Sequence, residues 1–176
     1  MTELDLRDAV PTDIPALHAL IESAYRGETS RVGWTTEADL LDGQRTDPEE
    51  LAEIIAAEDQ GILVAWKDGD ALACVKHQHL GDGVGYFGML SVAPALQSAG
   101  LGRRMVEAAE RVLVERHGVR RMRIQVFPQR QTLVAWYQRL GYALTGETAP
   151  FPYGDQRFGL PRRDDLSFVI MEKPLP

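Results

Sequence analysis

The sequence predicts an α/β fold of the α+β type, in which helices cover both faces of a mixed, largely antiparallel sheet of about six to seven strands. Three strand-like runs at residues 61–66, 71–79 and 86–92 follow one another closely. Asp68-Gly69 and Asp82-Gly83 separate them and favour tight turns, so the runs are typical of a meander. Helical periodicity then alternates with single strands through the second half of the chain.

The first third of the chain is assigned from periodicity and from helix-start residues. Residues 4–7 form a short first strand. Thr12 is the predicted N-cap of a helix whose apolar face runs from Ile14 to Tyr25. Residues 36–41 are predicted as a short helix, and Pro48 begins a second one that ends near residue 57.

The second half alternates regularly. A helix begins at the glycines near residue 100, shows apolar residues at helical spacing, and stops at His117-Gly118, a good C-terminal signal. The remaining predictions are strands at 123–127, 142–144 and 167–171, a helix at 131–140, and an irregular segment at 147–165.

Composition bounds the class of protein. The 176 residues, 44% of them hydrophobic, suit one domain spanning 1–176. The acidic start Met1-Thr2-Glu3-Leu4-Asp5 lacks the apolar region of a signal peptide, and no apolar run reaches the ~18–20 residues of a membrane span, so a cytoplasmic protein is expected. A lone cysteine, Cys74, excludes a disulfide framework and a cysteine-based zinc cluster, and no metal site is predicted. The net charge of −7 argues against a nucleic-acid surface and favours cationic acceptors weakly.

A glycine-containing loop lies between a predicted strand and a predicted helix: Gln97-Ser98-Ala99-Gly100-Leu101-Gly102-Arg103-Arg104. Its glycines allow unusual dihedrals and close approach of a ligand. Unpaired amides at a helix start, backed by the helix dipole, form an anion site. The two arginines oppose that dipole at a cost of roughly 0.3–1 kcal/mol each. They either extend into solvent or contact a bound anion.

The stretch Val92 to Gly102 resembles the pyrophosphate-binding loop of the GNAT family of acyl-CoA-dependent N-acetyltransferases, whose core pattern is Gln/Arg-x-x-Gly-x-Gly/Ala. Neither a Walker loop nor a complete dinucleotide fingerprint fits the same residues. The resemblance implies the family fold and acetyl-CoA as acyl donor. It also implies cofactor contacts from Gln97, Ser98, Ala99, Gly100, Leu101, Gly102 and Arg103, and pantetheine contacts from the backbone of Leu90, Ser91 and Val92.

A second stretch, Thr132 to Tyr142, resembles the family signature in which an aromatic residue and a tyrosine precede Gly-Phe/Tyr on a short helix. The resemblance implies that Tyr137 protonates the departing thiolate; plain core packing is the alternative. A phenol of pKa about 10 remains protonated at neutral pH and can donate to a thiolate whose pKa is about 8.5. Arg130 stands where many members have asparagine, and it is assigned as a CoA phosphate contact or a solvated residue.

The acceptor side is assigned from the irregular segments, which usually carry specificity. Tyr25, Trp34 and Tyr153 are the predicted acceptor contacts. Further candidates are Arg26, Glu37, Arg45, Phe151, Asp155, Arg157 and Phe158. The alternative is that these side chains only pack the loops. No carboxylate or histidine lies in residues 85–91, so the general base is unassigned; His77 and His79 are the nearest substitutes.

The sequence therefore predicts an N-acetyltransferase that transfers an acetyl group from acetyl-CoA to a primary amine of a small molecule or a protein. The alternative is a non-catalytic acyl-CoA sensor or partner module. Acetyl-CoA and an amine acceptor are the expected partners, with a homodimer as an open possibility and neither nucleic acid nor membrane expected.

Overall fold

The computed structural model describes residues 3–26, 30–31, 36–97 and 99–176. It confirms the predicted fold class, with a seven-stranded sheet and a separate two-stranded ribbon. The strands are β1 (Asp5–Asp8), β2 (Leu41–Asp42), β3 (Gln60–Lys67), β4 (Asp70–Gly81), β5 (Val84–Val92), β6 (Arg121–Val126), β7 (Ala143–Pro150), β8 (Leu160–Pro161) and β9 (Ser167–Pro174).

Helices cover both faces of the sheet. They are α1 (Ile14–Tyr25), α2 (Pro48–Ala56), α3 (Leu101–His117) and α4 (Gln131–Arg139). Helices α1 and α2 pack on one face of β3–β5, and α3 and α4 pack on the other. No helix within the described ranges combines the length and the apolar character that crossing a bilayer requires.

Helix ends follow local chemistry. Helix α2 begins where the Asp47 carboxylate accepts from the Glu50 amide at 2.7 Å, with Pro48 in the first turn. Helix α3 ends at Gly118, whose φ of 65° is the left-handed conformation that favours glycine. The start of α1 differs from the prediction. Thr12 lies in a short 3-10 turn, and Asp13 instead binds the Val10 amide at 2.9 Å.

The sheet order is β1-β3-β4-β5-β6-β9-β7, and the one parallel pair within it is β5 with β6. These two strands pair only where Val84–Tyr86 face Arg121–Arg123. Both strands continue well past this point, to Val92 and Val126. They therefore separate into an open cleft in the middle of the sheet.

A β-bulge bends β5 at the cleft. Two residues of β5, Met89 and Leu90, lie opposite the single Val75 of β4. Met89 has a φ of 51°, unusual for a residue with a side chain, and its carbonyl accepts from the Ser91 hydroxyl at 2.9 Å. The extra residue also shifts the alternation of side chains along β5. Met89 packs with α1 and α2, whereas Leu90 packs with α3 and α4.

Two predicted segments differ from the structure. Residues 36–41 do not form a helix: 38–40 are a turn and Leu41 begins β2. This segment is held by partners distant in sequence, because β2 pairs with β8 and the Leu40 carbonyl accepts from the Arg162 amide at 2.9 Å. The predicted irregular segment at 147–165 begins with an extended part, since β7 continues to Pro150 beside β9.

Gly85 lies where β5 and β6 begin their short pairing. A Cβ there would approach Met122 Sδ at 2.8 Å and Leu113 Cδ1 at 2.9 Å, both buried core atoms. We expect Gly85→Ala to lower the free energy of unfolding by about 1–3 kcal/mol, because a well-packed core must shift to admit the methyl group. Urea denaturation measures this loss.

Gly88→Ala is the matched control on the same strand. The three atoms nearest to its Cβ would all belong to Tyr86, with the phenol oxygen at 2.7 Å, and this side chain borders a cavity into which it can move. Its expected cost is below about 1 kcal/mol. Equal losses in the two variants would contradict this account of how the origin of the cleft is packed.

Candidate active site

The N-terminus of α3 is an uncovered set of backbone donors. Gly100 is the N-cap, with a φ of 78°, and no side chain caps the helix. The amides of residues 100–103 donate to no acceptor in the part of the chain that the structure describes. A Cβ at Gly100 would meet nothing within 4 Å, so the space in front of these amides is open. A 17-residue helix therefore directs its positive dipole end and these N–H groups at open space.

Side chains of the same loop have different tasks. Gln97 is buried and its amide donates to the Val92 carbonyl at 2.9 Å, which closes the loop onto the end of β5. Arg103 bonds Glu107 at 2.8 Å on the exposed side of α3. Ser98 lies outside the described residues. The cofactor contacts expected of Gln97, Ala99, Leu101, Gly102 and Arg103 stay predictions.

A cavity of about 410 Å³ occupies the cleft between β5 and β6. Leu90 and Val126 line it from the two strands, Tyr25 from α1, and Tyr137 from α4. Tyr25 belongs to the core under α1 and α2, whereas Tyr137 belongs to the core under α3 and α4. The cavity therefore passes through the sheet and connects its two faces.

Tyr137 presents a phenol to this cavity. Its ring packs against Phe87 and Tyr142, with centroids 5.8 and 6.0 Å away, and only 6% of the residue is exposed. Its hydroxyl bonds no described residue, although it lines the cavity. Burial raises the pKa of this phenol above its ordinary value of 10. Packing and an available proton coexist here, so core packing does not exclude the catalytic assignment.

The bulged strand is tied to α1 by Tyr25. The Tyr25 hydroxyl donates to the Leu90 carbonyl, and burial raises the pKa of this phenol to about 12. The Leu90 carbonyl is therefore hydrogen-bonded within the protein. The Val92 carbonyl is too, because it accepts from Gln97. Ser91 is fully buried and its hydroxyl bonds within the bulge. Pantetheine contacts by the backbone of Leu90, Ser91 and Val92 stay predictions.

Three charged residues form a buried cluster at one end of the cavity. The two oxygens of Glu37 lie 2.6 Å from Arg26 and 3.5 Å from Arg130. Burial opposes the charge of Glu37, but the two guanidinium groups outweigh it and lower the pKa of the carboxyl group. Arg130 was assigned to a CoA phosphate from its place in the motif. The structure brings it to Glu37 in the cavity, and the cofactor contact stays a prediction.

Other polar side chains line the same end: Arg45, Glu50, Lys76 and Tyr86. The Arg45 guanidinium lies over the Tyr25 ring, 5.1 Å from its centroid. The Glu50 carboxylate accepts from the Thr46 hydroxyl at 2.6 Å. Lys76 lies 5.8 Å from the Tyr86 ring centroid, and burial lowers the pKa of its ammonium group. The sequence analysis selected Arg45 but missed the other three.

Several predicted residues lie elsewhere. The Tyr153 hydroxyl donates to the Arg163 carbonyl and accepts from the Leu166 amide at 2.7 Å, so it fastens its own loop. Arg157 pairs with Asp47 at 3.0 Å, and neither Arg157 nor Asp155 lines the cavity. Trp34 lies outside the described residues. Tyr25, Arg26, Glu37, Arg45, Phe151 and Phe158 do line the cavity.

Neither histidine considered as a base reaches the cavity. His77 is buried beside Asp8, 3.4 Å from its carboxylate, and His79 stacks on His117 at 4.6 Å between ring centroids.

The alternation of side chains along the strands could have indicated the missed residues Lys76 and Tyr86. Lys76 is two residues from Cys74, which packs under α1 and α2, so a polar residue continues an otherwise apolar face.

Comparisons with known proteins agree with this architecture. The family model described as "Acetyltransferase (GNAT) family" matches residues 17–142. The solved structure of the ribosomal-protein-S18-alanine N-acetyltransferase from Escherichia coli has a TM-score of 0.70 and 17% identity, covering 98% of this chain and 94% of that one. The N-acetyltransferase PaiA from Thermoplasma acidophilum, solved in complex with coenzyme A, has a TM-score of 0.70 and 16% identity, with 98% and 99% covered.

A third similar structure is the ribosomal-protein-alanine N-acetyltransferase from Brucella melitensis, with a TM-score of 0.68 and 21% identity over 98% of this chain and 100% of that one. At these identities the three structures establish the fold alone. A search of curated protein sequences finds no significant match. The family match spans well over half of the chain and includes both motifs, and we therefore conclude that the chain belongs to the GNAT acetyltransferase family.

Proposed function

We propose that this protein is an N-acetyltransferase that moves an acetyl group from acetyl-CoA to a primary amine. The supporting observation is the presence of three features in one fold. An open cleft separates β5 from β6, and, among the described residues, no acceptor binds the amides at the start of α3 and no partner binds the phenol of Tyr137 that lines the cavity. A mere scaffold would not need these features to coincide.

The residues present fit coenzyme A. The pyrophosphate would be held by the amides of residues 100–103, where the open space before Gly100 leaves room for it. The unpaired edges of β5 and β6 would hold the pantetheine arm, because extended amide-bearing chains pair with free strand edges. Acetyl-CoA supplies an activated thioester and a good leaving group. The cleft would bring that group between Leu90 and Tyr137.

In this proposal Tyr137 is the general acid. As the amine nitrogen bonds to the carbonyl carbon and the carbon–sulfur bond breaks, the phenol donates its proton to the departing sulfur, and the nitrogen releases one proton to solvent as it becomes an amide. Its raised pKa keeps the phenol protonated across the physiological range. Solvent then restores the proton after the products leave.

The charge around the cavity helps to deprotonate the acceptor. A free alkylammonium of pKa about 10 is only about 0.1% neutral at pH 7. Burial lowers the pKa of Lys76 in this same cavity, with Arg45 contributing. A bound ammonium group experiences the same desolvation, so its pKa also falls and more of it is present as the nucleophilic amine.

Release of free thiol from acetyl-CoA across a panel of primary amines tests the proposed reaction. We expect amine-dependent thiol release that increases between pH 7 and pH 9, as the acceptor loses its proton. Mass spectrometry of the product should show acetylation on nitrogen. Tight CoA binding without release for any amine would contradict the enzyme assignment and favour the acyl-CoA sensor.

Gly100→Glu tests the phosphate site. The variant places a carboxylate in the open space before the helix amides, and we expect CoA affinity measured by calorimetry to fall at least about 100-fold, or about 2.7 kcal/mol. Gly118→Glu is the control at the other end of α3. Gly118 has a similar left-handed conformation, with φ 65°, and equally open surroundings. Equal affinity in folded Gly100→Glu and Gly118→Glu would place the phosphates elsewhere.

Tyr137→Phe tests the acid role. We expect kcat to fall about 100-fold with little change in CoA affinity, because the ring still packs and only the proton donor is lost. Tyr142→Phe is the matched control. Its hydroxyl donates to Glu110 at 2.8 Å and the residue does not line the cavity, so turnover should be preserved. Unchanged single-turnover rates in Tyr137→Phe would remove the acid role.

A further inference from the structure

The cavity is more cationic than the protein around it. The chain as a whole has a net charge of −7. Among the residues that the structure describes, the charged side chains lining the cavity are nevertheless four cations and two carboxylates, namely Arg26, Arg45, Lys76, Arg130, Glu37 and Glu50. This local excess of positive charge does not favour the cationic acceptor that the overall composition suggested.

Of the two carboxylates among these six side chains, Glu37 is already paired with arginines of the protein. Arg26 and Arg130 bind the two oxygens of Glu37, at 2.6 and 3.5 Å, and Arg26 also donates to the Phe158 carbonyl at 3.2 Å. This cluster fixes the segment around Glu37 to α1 and to the start of α4. Both oxygens of its one carboxylate are therefore occupied by arginines of the protein.

Arg45 is held in place but its guanidinium is not satisfied. Its backbone amide donates to the Glu22 carboxylate at 2.7 Å, and its side chain lies on the Tyr25 ring. Its guanidinium has neither a hydrogen bond nor an ion pair with any residue within the described ranges. Burial opposes its charge, but Glu37, Tyr25 and Glu50 outweigh this effect and raise its pKa, so the group stays charged. Arg45 thus lines the cavity, and its guanidinium N–H donors have no acceptor among the described residues.

The position of Arg45 relates it to the reacting centre. Tyr25, on which the guanidinium lies, donates through its hydroxyl to the Leu90 carbonyl in the bulge of β5. A single tyrosine side chain therefore contacts both the Arg45 guanidinium and the bulge of β5. A small molecule with its amine at the cleft can place a nearby anionic group at Arg45.

One wall of the cavity is apolar and aromatic. Phe127 stacks on Phe168 with ring centroids 4.7 Å apart, and Phe151 packs against both. Leu41 and Phe158 extend this wall. A cavity of about 410 Å³ is at the small end of the range for small-molecule sites. The wall fits a compact apolar side chain.

We propose that the acceptor is a primary amine that also carries a carboxylate and an apolar side chain, as an apolar α-amino acid does, and that Arg45 binds its carboxylate. Arg45 is a specificity-determining residue in this proposal, which rests on the acyl transfer proposed above. A planar guanidinium binds a carboxylate through two parallel charge-assisted hydrogen bonds, which makes the preference specific as well as strong.

Matched amines test the preference. Thiol release is measured with phenylalanine and leucine and with their decarboxylated counterparts, phenethylamine and isopentylamine. We expect kcat/KM to be about 10- to 100-fold higher for the amino acids, mainly through KM. Equal or better activity with the decarboxylated amines would overturn the proposal while leaving the acyltransferase assignment intact.

Substitutions of Arg45 test the residue. Arg45→Met should lower kcat/KM for phenylalanine about 10- to 100-fold more than it lowers kcat/KM for phenethylamine. Arg45→Lys should give an intermediate loss, because it keeps the charge but not the paired hydrogen bonds. Arg111→Met, which removes the same charge from the exposed side of α3, is the control and should match wild type. Parallel losses with both amines would assign Arg45 a structural role only.

Binding measurements separate the two proposals. N-acetylphenylalanine and N-acetylphenethylamine are titrated calorimetrically into wild type and Arg45→Met in the presence of CoA. Preference for the carboxylate that is lost in Arg45→Met supports the anion site even where no thiol is released, in which case only the proposed function fails. Equal affinities of wild type for the two compounds would reject the anion site.

Discussion

The separation of β5 from β6 is the constraint on which the rest of the structure depends. Two parallel strands that pair over three residues and then diverge leave unpaired backbone in the middle of a sheet, where unmet hydrogen bonds are costly. The bulge at Met89 and Leu90 lies just beyond the last paired residue of β5, and its left-handed residue is held by a core packed on both faces. Tyr25 and Ser91 bind the carbonyls of this region from within the protein. The outcome is a cavity through the sheet whose remaining backbone groups are free to pair with an amide-bearing chain.

The start of α3 and the cavity differ in the charge that they present. The start of α3 presents a helix dipole and bare amides to an anion without a protein carboxylate to compete. The cavity holds its buried carboxylate, Glu37, between two arginines, so this charge contributes to the architecture and not to an approaching ligand. In our proposal Arg45 is the guanidinium that binds the acceptor. The acidic surface of the protein and its cationic interior therefore act on different partners: the surface affects long-range approach, and the cavity selects what binds.

The sequence predicted the parts of this arrangement that depend on neighbouring residues. The meander, the glycine N-cap of α3, the stop at Gly118 and the tyrosine on α4 all follow from local spacing. What it missed depends on distant contacts. Residues 36–41 were assigned to a helix, but pairing of Leu41 with Pro161 and the burial of Glu37 by Arg130 determine their structure. Lys76, Glu50 and Tyr86 come from three elements that only the fold brings to one cavity. Tyr153 was chosen for its exposed loop, yet its hydroxyl is used to fasten that loop.

A crystal structure of the protein with coenzyme A would test most directly whether the separated strands form the thioester site. Our account requires electron density for the phosphates at the amides of residues 100–103, for the pantetheine arm between β5 and β6, and for the sulfur in contact with the Tyr137 hydroxyl. Density for the cofactor outside the cleft, or strands β5 and β6 paired along their whole length, would contradict it.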